Sequence, residues 1–394
     1  LIIPLLLGLG CVGFMFGTGG SALVAKTMGE GDKHRANQYF TMMIAATLIC
    51  GVIISTLGVI FMEPISVFLG ADAEMLPDCV LYGRIVLAFN TAYMLQNVFQ
   101  SFLIAAEKPK LGLWVTVAAG VTNMALDALF MAVFHWGVAG AAIATVLSQI
   151  ASCVIGFAYM HRRYALLRFS LRELRMDLKT AGRILQVGAP MAIQQSIVSC
   201  GFLFLQRLVN YYGESMIASY TVASRMENIL MIPIIGIQNT MATFAGQNMG
   251  ARQPERIRKI IRTGLGMHLG FSALFSALLF LTRGLTVRFF TDDTNVMAEG
   301  SRIITMLAFF YPTFCCVAVL SSAMRGCGNS VMPTVLTLFG TCLLRLALLY
   351  TVTFPHLSNW TIAICYPATW GATSLLFLIY YRFFRWMPGQ KPQT

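Results

Sequence analysis

Charge is scarce in this sequence: Asp, Glu, Lys and Arg make up 11% of 394 residues, against 57% hydrophobic residues. A soluble domain carries about 25% charged residues, so this composition leaves too little polar surface to cover a globule in water. Mean hydropathy is +0.71. The motifs of several common chemistries are missing as well. There is no G-x-x-x-x-G-K-[ST] loop, no H-E-x-x-H helix and no G-x-S-x-G elbow, which removes a built-in ATP motor, a zincin and a serine hydrolase. The histidines (His34, His135, His161, His268, His356) are scattered. None of the ten cysteines forms a C-x-x-C pair, and most lie inside apolar runs, where Cys serves as a small apolar residue. No catalytic dyad or metal cluster is legible, so an enzyme is not expected, and neither a cofactor nor a resident metal.

What is present is a succession of long apolar runs, each near the roughly 20 residues that cross a bilayer. They cover 1–26, 38–62, 79–106, 112–134, 138–160, 184–210, 216–246, 257–282, 301–324, 332–353 and 360–383, eleven spans in all. Interior prolines (Pro190, Pro233, Pro312, Pro333, Pro367) are tolerated in a membrane bundle, where neighbouring helices satisfy the freed backbone groups. The net charge of +12 follows the positive-inside bias and gives no reason to expect a nucleic-acid partner. Lys26, Lys33 and Arg35, Lys108 and Lys110, the stretch from Arg162 to Arg183, Arg252 to Arg262, Arg325, and Arg382 and Arg385 all fall in one set of loops. The alternate loops hold Asp72, Glu74, Asp78, Glu214, Asp292, Asp293 and Glu299. The basic set is expected on the cytoplasmic side of the cell membrane, including the interlobe linker and the C-terminus. Leu1 opens directly into an apolar run, which reads as a start within a helix.

Landmarks recur at a near-constant offset. Met28-Gly29 and Met249-Gly250, Arg35 and Arg256, Phe68 and Phe289, and Asp72 and Asp293 are each 221 apart. Arg84-Ile85 and Arg302-Ile303 match at 218, and the loops near Glu107 and Cys327 at 220. The unit is six helices, an even number that restores the starting side, so two parallel repeats are expected. The mate of the helix holding Gly188 and Pro190 would fall upstream of residue 1, which gives twelve helices in an intact protein and about eleven here. The fold class is therefore all-α integral membrane. The expected organisation is an N-terminal lobe at 1–165, a linker at 166–183 and a C-terminal lobe at 184–394. Leu167, Leu171, Leu174 and Leu178 alternate with Arg168, Arg172, Arg175 and Lys179, which suits an amphipathic helix on the cytoplasmic leaflet or a solvated linker helix. Two halves with a seam are what alternating access requires, although a channel, recognised by conductance without coupling, is also built from repeats.

Asp127 and Glu227 are the two carboxylates inside apolar spans. Each costs about 2.5–3.5 kcal/mol there on insertion scales, so each needs a partner, a proton or water. Asn123 lies one turn before Asp127 on the same face, and Thr145, Ser148 and Gln149 stand on the next span. This group could hold a proton, a cation or water. Counterparts by a local offset of 220 are Leu343 and Ala347, and Leu6 is the counterpart of Glu227. Arg225 is two residues from Glu227 and faces elsewhere, which leaves Arg345 or Arg207 as its partner. Gln194 and Gln195 join Glu227 and Arg345 as candidate substrate or coupling residues of the C-terminal half.

Several stretches together carry a family resemblance: Gly19-Gly-Ser-Ala22 through Met28-Gly-Glu-Gly-Asp32, Ala105-Ala-Glu-Lys-Pro-Lys110, Asn123-Met-Ala-Leu-Asp127 and Gly140-Ala-Ala-Ile-Ala-Thr145. Ala223-Ser-Arg-Met-Glu227 through Pro233, Ala245-Gly-Gln-Asn-Met-Gly250 and Arg325-Gly-Cys-Gly-Asn329 extend it to about residue 386. The sequence resembles the multidrug and toxic compound extrusion (MATE) transporters, in their prokaryotic, MepA- and DinF-like branch. The resemblance implies twelve helices in two lobes about a central cavity, and export of organic cations driven by inward H⁺ or Na⁺. Family coupling sites in the N-lobe use an Asp on the first helix with an Asn–Asp pair and a Thr; Asn123, Asp127 and Thr145 match the last three. A monomer in the lipid bilayer is expected. The rival within the same superfamily is a flippase for lipid-linked oligosaccharide or polysaccharide, kept open by Arg345.

Overall fold

The computed structural model describes residues 3–68, 73–106, 108–163, 169, 178–211, 214–288, 293–353 and 359–387. It is all-α, with no strand among the described residues. The chain divides into two compact units, Leu1–Ser196 and Ile197–Thr394.

Unit 1 contains α1 (Ile3–Gly29), α2 (Lys33–Ile60), the short α3 (Met62–Phe68), α4 (Leu76–Ala88), α5 (Asn90–Ala105), α6 (Pro109–Asp127) and α7 (Gly137–Arg163). Helix α8 (Leu178–Tyr211) begins in unit 1 and runs past its boundary. Unit 2 contains α9 (Glu214–Gly250), α10 (Pro254–Arg288), α11 (Thr294–Phe310), α12 (Cys315–Gly326), α13 (Val331–Thr337), α14 (Leu344–Leu348) and α15 (Asn359–Phe383). A 3₁₀ turn, Tyr311–Phe314, joins α11 to α12, and π-helical stretches follow α6 (Ala128–Val133), α13 (Leu338–Leu343) and α14 (Leu349–Thr353).

Among the described residues, eight helical stretches are long and apolar enough to cross a membrane. The predicted span 79–106 is two helices, α4 and α5, broken at Phe89, where the backbone leaves helical geometry at φ −110°, ψ 12°. Spans predicted at 184–210 and 360–383 are α8 and α15, parts of whose side chains are outside the described residues. Most of the expected linker 166–183 also lies outside them, as do Asp72, Asp292 and the side chains of Leu6 and Arg207.

The apolar residues sort by face. On α2, Ile49, Val52, Ile53, Leu57 and Ile60 are half or more exposed, as expected where lipid is the solvent. Inward, unit 1 closes around Phe16, Phe40, Phe99, Phe102 and Leu103, with Phe40 and Phe102 edge to face at 4.9 Å. Unit 2 closes around two clusters, one centred on Tyr311, Tyr366 and Trp370 and the other on Leu320, Met324, Phe377 and Trp386. Small residues let helices approach closely, the usual device where lipid tails are as apolar as the core. A Cβ on Gly13 of α1 would lie 2.8 Å from the Met94 backbone of α5, and one on Gly326 of α12 would overlap the Ala242 carbonyl oxygen of α9.

The repeat is written in the elements themselves. Helices α1 and α9 end at Gly29 and Gly250; α2 and α10 start at Lys33 and Pro254; α5 and α12 end at Ala105 and Gly326. The left-handed residues Gly31 and Arg252, and the π stretches starting at Ala128 and Leu349, obey the same rule. Every pair is 221 apart. Around the Asp127 span the starts of α6 and α13 (Pro109, Val331) and of α7 and α15 (Gly137, Asn359) are 222 apart, so the offset there varies by a residue.

Candidate functional site

In unit 1, Asp127 is the last residue of α6, where the ladder passes into the π stretch Ala128–Val133. π insertions add a residue to the turn and are common at functional sites. A tight turn follows, with His135 and Gly137 both at positive φ, and Phe130, Phe134 and Trp136 stack over it at 5.0–6.0 Å. Helix α7 then returns alongside α6. Asp127 is seven residues before Phe134 and Thr145 eight after Gly137, so both stand at a depth of about 10–12 Å from the turn.

Asp127 and Thr145 share a level, Asn123 lies one turn further along α6, and no hydrogen bond joins the three. Thr145 donates its hydroxyl to the Ala141 carbonyl at 3.0 Å. The Asn123 amide nitrogen is buried without a hydrogen-bond partner. Asp127 is part-buried, and among the described residues it has neither hydrogen bond nor ion pair. The 100° step of a helix sets Thr116, Asn123 and Asp127 on one side of α6, beside the exposed stripe of Trp114, Val117, Val121 and Met124. Thr116 accepts from Gln100 of α5 at 3.0 Å, and both line a small open cleft with Gln96 and Ser152. That lining stops at Thr116, eleven residues or about 16 Å along α6 from Asp127.

Unit 2 answers with a different chemistry. Arg345 sits in α14, the five-residue α-helical piece between two π stretches. Its guanidinium carbon lies 4.2 Å over the Tyr366 ring, a cation–π contact. One terminal nitrogen donates to the Thr369 hydroxyl at 3.1 Å. Thr369 spends its own proton on the Cys365 and Tyr366 carbonyls one turn back, at 2.8 and 2.9 Å, so only its lone pairs face the guanidinium. Glu227 on α9 interacts electrostatically with Arg345 and with Tyr311, without a direct ion pair to either. Tyr311, 1% exposed, packs edge to face on Trp370 at 5.6 Å, and its hydroxyl has no hydrogen-bond partner; nor has the buried Arg345 Nε.

Of the two partners left open to Glu227, Arg345 lies within electrostatic range, while the Arg207 side chain is outside the described residues; Arg225 is exposed. Gln194 and Gln195 lie on α8, half-buried and exposed respectively, each already engaged in other interactions, in the part of α8 assigned to unit 1. Tyr311, Tyr366, Thr369 and Trp370 were not singled out from the sequence. The signal existed: adding 221 to Thr145, Ser148 and Gln149 gives Tyr366, Thr369 and Trp370. No group of three or more potential metal ligands occurs among the described residues.

Known proteins resemble this chain throughout. "Probable multidrug resistance protein YoeA" of Bacillus subtilis (strain 168) is 24% identical over 375 residues, 93% of this chain and 81% of its own length. The "FAD transporter" of Shewanella oneidensis is 25% identical, over 88% of this chain and 77% of its own. A solved structure described as the outward-facing conformation of a multidrug resistance MATE family transporter of the MOP superfamily shares the fold. It has a TM-score of 0.91 at 22% identity, covering 97% of this chain and 86% of that one. The family model described as MatE matches residues 1–129 and 190–351, well over half of the sequence. On that match, the chain belongs to the MatE family of membrane transporters.

Proposed function

We propose that the protein is a secondary active efflux transporter, exchanging organic cations outward for H⁺ or Na⁺ by alternating access. The observation that carries the reading is Asp127, a carboxylate inside an apolar span with no partner among the described residues. A group that costs kcal/mol to hold there is retained where it meets a mobile charge. In the proposed cycle, the outward-open protein takes the ion at Asp127, with Asn123 and Thr145 as neutral oxygen and nitrogen ligands, and this weakens its hold on a cationic drug. The inward-open protein loses the ion, and the freed carboxylate recruits a lipophilic cation. Residues 1–165 and 184–394 are the proposed moving lobes, in a cell membrane with the linker 166–183 and the C-terminus in the cytoplasm. The protein works as a monomer and without a cofactor. The printed names of YoeA and of the outward-facing structure support export of drugs.

A second reading, movement of an anionic amphiphile such as a lipid-linked oligosaccharide, draws on Arg345 and on the printed name of the Shewanella relative. The Glu227 field, the Tyr366 ring and the Thr369 hydroxyl already occupy that guanidinium, which weighs against it. The deciding experiment loads vesicles carrying the full-length protein with a cationic dye, and in a second arm with a flavin dinucleotide. pH and Na⁺ gradients are imposed separately. Gradient-driven dye efflux supports the proposal; flavin movement without dye movement, or neither under any gradient, overturns it.

A further inference from the structure

The two units treat their intramembrane carboxylates differently. Asp127 stands without a counter-charge, whereas Glu227 has a guanidinium within electrostatic range. That guanidinium is received as a free cation would be. It lies flat over an aromatic ring at 4.2 Å and donates to a hydroxyl whose own proton is turned away to the backbone. Around it, the Tyr311 hydroxyl and Arg345 Nε remain buried and unpartnered, so its place is not a closed, fully bonded ion pair. The repeat underlines the difference. Positions 345 and 366 fall on Met124 and Thr145 in unit 1 at an offset of 221, or on Asn123 and Ala144 at 222, so neither the cation nor its aromatic platform is duplicated.

We propose that Arg345 is a tethered counter-ion: its guanidinium fills a site for a planar, delocalised cation built from Glu227, Tyr366 and Thr369, and thereby keeps unit 2 from taking up a free cation there. The residue then sets which half exchanges ions with the surroundings. Arg345 is a positioning and specificity-determining residue, not a coupling residue. The inference goes beyond the transport reading, and its test measures stability instead of flux, so the two fail separately.

The test is chemical rescue. Purified wild type, Arg345→Ala and the double variant Glu227→Gln, Arg345→Ala are melted in detergent with millimolar guanidinium chloride or with NaCl at equal ionic strength. Emptying the site lowers Tm by at least about 5 °C. Guanidinium, and not Na⁺, restores at least half of that loss saturably in Arg345→Ala, while wild type and the double variant do not respond. Absence of rescue, equal rescue by NaCl, or equal rescue of the double variant overturns the proposal. If Arg345→Ala does not yield folded protein, Arg345→Met is compared with Glu227→Gln, Arg345→Met. The double variant melting higher than Arg345→Met supports a charge that Arg345 compensates; melting at or below it overturns the claim.

Discussion

Gly188 offers the sharpest quantitative test of the packing. Helix α8 meets α1 there with almost nothing between backbones: a Cβ on Gly188 would lie 2.6 Å from the Met15 carbonyl oxygen and 2.7 Å from Met15 Cγ. Gly19 faces back, its own Cβ 2.9 Å from Gly188 Cα. The Met15 side chain can swing aside, but the carbonyl belongs to a helix ladder and cannot. Normal C···O contact therefore requires the helices to part by about 0.6 Å, and overpacking of this kind costs about 1–3 kcal/mol. Replacing Gly by Ala in a helix returns about 1 kcal/mol of backbone entropy, so Gly188→Ala should lose at most about 2 kcal/mol. Val adds two further carbons and recovers less propensity, so Gly188→Val should lose about 2 kcal/mol or more. Unit 1 has 196 residues, for which 2 kcal/mol is roughly 4–8 °C in Tm. The control is on the same helix: a Cβ on Gly182 meets nothing within 4 Å, so Gly182→Ala should hold or raise Tm. Melting in detergent decides. If Gly188→Val is as stable as the parent, or Gly182→Ala falls as far, the reasoning from close approach is wrong.

Two smaller perturbations have opposite expected sizes. The Asp293 carboxylate accepts from the backbone N–H groups of Asn295 and Val296 at 2.8 and 3.3 Å, capping α11, so Asp293→Ala should cost about 1 kcal/mol by chemical or thermal unfolding. Glu255 and Arg258 pair at 3.2 Å near the start of α10, but the Glu255 side chain is 82% exposed, so Glu255→Gln should change stability by less than about 0.5 kcal/mol.

The rods and their duplication were legible because both rest on composition: apolar length marks a span, and a repeat needs only matching landmarks such as Met28-Gly29 and Met249-Gly250. The π stretches were not, since one extra residue in a turn leaves hydropathy unchanged while moving every later side chain around the axis. The break at Phe89 was hidden for a similar reason, since an apolar residue interrupts an apolar run. Asp127 and Glu227 announced themselves by their cost in lipid. That Arg345 comes within range of Glu227 depends on which helices pack together, information that no single-helix periodicity holds. Tyr366 and Thr369 could have been reached by carrying the 221-residue offset forward from Thr145 and Ser148.

Coupled export through Asp127 is measured most directly by ion movement itself. Vesicles carrying the full-length protein and an internal pH dye, or radioactive Na⁺, are given an organic cation, and the counter-flux is compared between wild type and Asp127→Asn. The account predicts substrate-induced ion flux in wild type and its loss, by tenfold or more, in Asp127→Asn with Glu255→Gln unaffected. An Asp127→Asn protein that exchanges ions for organic cations at the wild-type rate would contradict it.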